Sequence, residues 1–83
     1  MATKAQHARR YRLVPDLLRE LREEAGLTQR DLGELLNVPH QWVHKCETGS
    51  RRVDIAEFCD WCEGCGVDPS KVIADWRTTR KRK

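Results

Sequence analysis

The cysteines are the first residues in this chain whose type and spacing could do chemistry. Cys59, Cys62 and Cys65 stand three residues apart in the stretch C-D-W-C-E-G-C, with Cys46 upstream. Thiolates so spaced can hold zinc or an iron–sulfur cluster when the backbone turns them toward one point. On a continuous helix the three steps fan the thiols over about 120°, too wide for one tetrahedral ion. The first stop signal after them is Gly66. Ile55, Phe58, Cys62 and Cys65 also follow i, i+3, i+7, i+10, the spacing of a buried helical stripe. There a cysteine acts as a small apolar side chain. Cys46 falls on the buried side of the preceding helix, and Cys59 is the thiol expected nearest solvent. No metal and no cofactor are expected; a redox-responsive Cys59 stays open.

The second cluster with chemical reach is His40, Gln41, His44 and Lys45. Residues on a helix are spaced about 100° apart around the axis. With His40 at zero, Val43, Cys46 and Glu47 fall at about 300°, 240° and 340°, an arc that can bury. His44, Gln41 and Lys45 fall at about 40°, 100° and 140°, and Trp42 at the margin near 200°. The polar arc carries hydrogen-bonding side chains throughout. Gln pairs with the edge of adenine, Lys with guanine, and His with guanine or a phosphate. An ordinary solvated helix face has the same look, so the arc gains weight only from its surroundings. His40 and His44, at i and i+4, could also chelate a metal, but they lie on this outward arc. No nucleophile, base and orienting group share a plausible cleft, so an enzyme is not expected.

The elements that must position these residues are short helices. Period-3.6 patterning runs through the middle of the chain, without strand-like alternation. Val14, Leu17, Leu18, Leu21 and Ala25 define a helix over about 14–25, entered at Pro15-Asp16 and stopped at Gly26. Thr28 is a cap candidate for a helix over 29–36, whose stripe is Leu32, Leu35 and Leu36. Asn37-Val38-Pro39 breaks it, Asn tolerating the left-handed turn and Pro starting the next element. A third helix spans about 40–47, ended by Gly49. Asp54 and Glu57 form a capping pair for a fourth over 55–65. Asp68-Pro69 opens a fifth over about 69–77, with Val72, Ile73 and Trp76 on one side.

Eighty-three residues make one small domain with no room for a large substrate pocket. The net charge is +3, unevenly placed. Residues 1–12 carry Lys4, Arg9, Arg10 and Arg12, and residues 77–83 carry Arg77, Arg80, Lys81, Arg82 and Lys83, with no acid in either stretch. The middle is therefore net acidic. Basic ends suit a polyanion, usually nucleic acid. We expect a basic arm at 1–12, a folded domain at 13–77 and a basic tail at 78–83. No apolar run approaches the ~20 residues of a membrane span. With no signal-peptide pattern either, a cytoplasmic protein with reduced thiols is expected.

Residues 26–49, G-L-T-Q-R-D-L-G-E-L-L-N-V-P-H-Q-W-V-H-K-C-E-T-G, resemble the lambda-repressor-like helix-turn-helix family of phage and bacterial regulators. The resemblance continues through R-R-V-D-I-A-E-F-C-D-W-C-E-G-C-G-V-D-P and covers about residues 14–76. Gln29 opens the second helix, and Gly33 stands where the family needs a small residue for close helix approach. Val43 is the buried β-branched residue of the recognition helix. Glu47 and Gly49 match the E-x-G ending, and G-V-D-P matches the entry to the last helix. Asn37 replaces the family's usual Gly. His44 replaces a frequent Ser, and Cys46 a larger apolar residue, so base preference does not carry over.

The resemblance implies an all-α, compact five-helix domain and a sequence-specific, double-stranded-DNA-binding transcriptional regulator, a repressor or autoregulator. It implies that Gln29 contacts phosphate, that His40, Gln41, His44 and Lys45 reach base edges, and that Arg22 pairs with Glu47. Arg30, Arg51 and Arg52 suit further phosphate contacts. Trp42 is open between DNA contact and packing over the hinge, the latter slightly favoured. The expected partner is a pseudo-palindromic operator bound by a homodimer, with Val72, Ile73, Trp76 and Trp61 as candidate contacts between copies. The alternative is a protein-interaction module, such as an antitoxin or adaptor that grips a partner protein.

Overall fold

A computed structural model describes the backbone of residues 11–82 and the side chains of residues 11–76. The basic segment before Tyr11 and the side chains of the basic C-terminal run lie outside the described residues. The described residues fold into five helices: α1 (Leu13–Glu24), α2 (Gln29–Leu36), α3 (His40–Thr48), α4 (Ile55–Gly64) and α5 (Pro69–Arg82). There is no strand among the described residues. This is the expected all-α fold.

The local chemistry explains where the helices begin and end. The Thr28 hydroxyl accepts from the Asp31 N–H at 3.0 Å, and the Asp31 carboxylate accepts from the Thr28 N–H at 2.9 Å. Asp54 and Glu57 make the same reciprocal box at the start of α4, at 2.8 and 2.9 Å. Each box satisfies two amide donors that a helix start leaves open. Asn37 ends α2 at φ 60°, in the left-handed region that its short amide side chain tolerates. Gly49 ends α3 at φ 84°.

The core gathers Leu18 and Leu21 of α1, Leu32 of α2, Val43 and Cys46 of α3, Phe58, Trp61 and Cys62 of α4, and Val72 of α5. Trp61 is fully buried, and its indole N–H donates to the Leu18 carbonyl at 3.1 Å. Burying a tryptophan is favourable when that polar edge finds an acceptor. α2 and α3 cross tightly at Gly33, where an added Cβ would lie 2.8 Å from the Val38 carbonyl oxygen.

The pattern reading needs several corrections. Ile55 is 82% exposed and Leu35 is 60% exposed, so neither belongs to the core. Periodicity gives a direction around the axis, not a depth, and Ile55 is the first residue of α4, beyond the core's edge. Ala25 is exposed because it caps α1 rather than extending its buried face. Cys65 caps α4 and packs against the core from its edge, half-buried rather than buried. Trp61, a candidate contact between copies, is inside the core and cannot serve as one. α5 continues to Arg82 rather than ending at 77. No Gly or Pro follows Trp76, and Arg and Lys are good helix formers that suit a helix C-terminus.

Candidate nucleic-acid interface

α3 is presented by three helices. Val43 and Cys46 are buried beneath it, and Glu47 is buried at its C-terminal end. Glu47 is the junction residue. Arg22 of α1 donates through Nε to Glu47 Oε2 at 2.6 Å and through Nη2 to Oε1 at 3.0 Å. Gln29 of α2 donates through Nε2 to the same Oε1 at 3.0 Å. Arg22 also donates to the Leu27 carbonyl at 2.9 Å. The side chains of Arg22 and Glu47 are 11% and 3% exposed. The Arg22–Glu47 pair implied by the resemblance is thus present, and it joins α1, α2 and α3.

Turning α3 inward on this side leaves Gln41, His44 and Lys45 exposed on the other. His40 is half-buried at the α2–α3 junction. It lines a shallow depression with Thr28, Gln29 and Arg30 at the start of α2, and Arg22, Gly26 and Leu27 complete the rim. The fold therefore brings Gln29, Arg30 and His40 together beside the outward arc. Gln29 is shared, because its amide nitrogen is already directed to Glu47.

Arg51 and Arg52 part company. Arg51 makes a two-pronged pair with Glu57, Nη1 to Oε1 at 3.0 Å and Nη2 to Oε2 at 2.8 Å. Its Nη1 also donates to the Arg52 carbonyl at 2.8 Å, and its guanidinium lies 4.8 Å over the Trp42 ring. The Arg51 pKa is raised, first by the hydrogen bond to Glu57, and that bond lowers the Glu57 carboxyl below its ordinary 4.5. Arg52 is exposed and lies 4.0 Å over the ring of Tyr11. The Tyr11 hydroxyl accepts from the Val53 N–H at 3.0 Å. The start of the described chain is thereby tied to the loop that follows α3.

Trp42 is half-buried and packs 6.1 Å from Trp61, the rings tilted by 38°. Sequence reasoning missed two features, the Arg51–Glu57 pair and the Tyr11 anchor. Each joins residues across a turn or across the fold, where no helical spacing announces it. Among the described residues, no three His, Cys, Asp or Glu side chains form a group able to hold a metal ion. Cys46 and Cys62 are buried, and Cys59 and Cys65 are half-buried. Burial pushes the Cys62 thiol up to about 11. No helix among the described residues is long and apolar enough to cross a membrane.

Residues 16–72 match the family described as a helix-turn-helix domain. The chain belongs to this helix-turn-helix family. Among solved structures, this helix-turn-helix chain is similar to an XRE-family like protein from Pseudomonas syringae pv. tomato str. DC3000. The two share 39% identity, with 92% of this chain and 93% of that one covered, at a TM-score of 0.84. It shares its fold with the clp gene regulator ClgR from C. glutamicum, at 23% identity and a TM-score of 0.70, covering 80% of this chain and 86% of that one. No curated protein matches. In this family frame α2 and α3 are the helix-turn-helix pair.

Proposed function

We propose that the chain is a DNA-binding transcriptional repressor or autoregulator that lays α3 in the major groove. The observation that carries this is the division of α3 itself. Val43, Cys46 and Glu47 are held inside, and Gln41, His44 and Lys45 stand together outside on a face that no other described helix covers. Gln41 and Lys45 supply the donor and acceptor patterns that read base edges, and His44 adds a third hydrogen-bonding group. Arg30, His40 and Arg52 flank this arc and suit phosphate contacts that fix register. Gln29 can meet a phosphate only through the part of its amide that Glu47 does not hold. Trp42 acts mainly by packing beneath the helix.

One module of this size reads few base pairs, so two copies on a pseudo-palindromic operator complete the reading. An apolar groove of about 200 Å³, lined in part by Val14, Phe58, Ile73 and Trp76, supports a face for self-association. Ile55 and Ile73 stand exposed on it. The same groove favours the second reading, a module that grips a partner protein. The basic segments 1–10 and 77–83 add salt-dependent attraction that the acidic middle lacks.

The test is selection of binding sites from a random duplex pool at near-physiological salt. An enriched two-fold-symmetric motif supports specific recognition by a dimer. Retention without a motif assigns the binding to the basic segments and moves attention to the groove. Deleting residues 1–10, which spares the Tyr11 anchor, should flatten the salt dependence while leaving the selected motif unchanged.

A further inference from the structure

Arg51 follows the recognition helix by three residues and has the charge expected of a phosphate contact. Its surroundings give it other work. The backbone N–H of Arg51 donates to the Lys45 carbonyl at 3.2 Å, folding the loop back onto the end of α3. Its guanidinium is bound on both prongs by Glu57 of α4 and covers Trp42 of α3. Trp42 in turn packs on Trp61, whose indole is pinned to the Leu18 carbonyl of α1. One line of contacts therefore runs from Glu57 through Arg51, Trp42 and Trp61 to α1.

The position of Trp42 on α3 gives this line its meaning. The buried arc of α3 is bounded by Trp42 near 200° and Glu47 near 340°, measured from His40. Glu47 is held by Arg22 and Gln29 from the α1–α2 side. Trp42 is held by Arg51, which Glu57 of α4 holds in turn. Two holds at opposite margins of one helix resist its rolling about its own axis, which the apolar contacts of Val43 and Cys46 alone would permit. The direction in which Gln41, His44 and Lys45 point depends on that roll.

We infer that Arg51 is a positioning residue for base recognition: with Glu57 it clamps Trp42 and sets the roll of α3, and it does not bind phosphate. This rests on the reading of α3 as the recognition helix. It deepens that reading by naming a loop arginine and a distant carboxylate as determinants of specificity. Neither of them touches a base.

Two conservative variants test it. Arg51→Lys keeps the charge but loses the planar two-pronged fork. Glu57→Gln removes the charge but keeps an oxygen that can accept the Asp54 N–H, so the cap of α4 survives. Affinity is measured for the selected duplex and for a scrambled one across a salt series, after circular dichroism shows each variant folded. Both variants should lose about tenfold or more in discrimination, with the salt slope of the wild type. The inference is overturned if Arg51→Lys discriminates as the wild type does. It is also overturned if Glu57→Gln binds both duplexes more tightly, with a slope steeper by about 0.9, the mark of a freed arginine reaching one phosphate. If the wild type selects no duplex, the DNA reading fails by itself, and amide exchange of α3 in the free protein decides the clamp. Faster exchange in both variants upholds it, and unchanged protection overturns it.

Discussion

Glu47 receives donors from two other helices while lying almost wholly out of water, and that makes it the residue least able to lose a partner. Arg22→Ala should destabilise the fold by about 3 kcal/mol, because it leaves a buried carboxylate with Gln29 alone; denaturant unfolding measures this. Glu57 is the acid-sensitive member of the other pair. Its carboxyl is lowered by Arg51 first and by the Asp54 amide second. Its contribution is therefore complete above its unfolded value near 4.5 and is lost as pH falls through the lower folded value. A titration of thermal stability should steepen below about pH 4.5, and Glu57→Gln should blunt that steepening. Cys62, with its thiol pushed up to about 11 inside the core, should resist iodoacetamide at pH 8 in the native protein. Mass spectrometry should find label on half-buried Cys59 before buried Cys46 or Cys62. The two ion pairs also differ in legibility. Arg22–Glu47 followed from the family resemblance. Arg51–Glu57 did not, because an arginine beyond a glycine stop reads first as a phosphate contact, and its partner is fixed by the path of the loop.

Among the elements, starts were the most legible part of the fold. Thr28 and Asp54 announce α2 and α4 through side chains that bond to amides three residues on, a purely local event. Ends marked by Asn37 and Gly49 were legible for the same reason. The end of α5 was not, since a run of basic residues is compatible with both helix and tail. Depth was also illegible: Leu35 and Ile55 sit at apolar spacings yet face outward, because burial depends on which helix arrives opposite. The α2–α3 crossing gives a sharp test at this scale. Gly33→Ala places a methyl 2.8 Å from the Val38 carbonyl oxygen, which belongs to backbone and cannot swing aside. It should cost about 1–3 kcal/mol, read as a lower melting temperature, and should weaken DNA binding by spreading the pair.

For the whole molecule, the apolar groove beside α5 is the face proposed to meet a second copy. Ile73→Glu should leave the fold intact, because Ile73 is 46% exposed. It should shift sedimentation toward a single copy if the groove is the face between copies. The five described helices and the helix-turn-helix were readable from the sequence, whereas the groove was not. It is made by α1, α4 and α5 meeting, and residues as distant as Val14 and Trp76 share its walls. A different consequence follows from the way α3 divides. If α3 reads DNA as proposed, most of its nine residues serve either recognition or folding, not both. Trp42, Val43, Cys46 and Glu47 hold the helix, and Gln41, His44 and Lys45 lie exposed. Gene duplicates of such a protein can diverge at those three outward positions, one substitution at a time, without passing through an ancestor that fails to fold. A repertoire of targets is thus open to this scaffold through a short mutational walk, with the core as its unchanging record of descent.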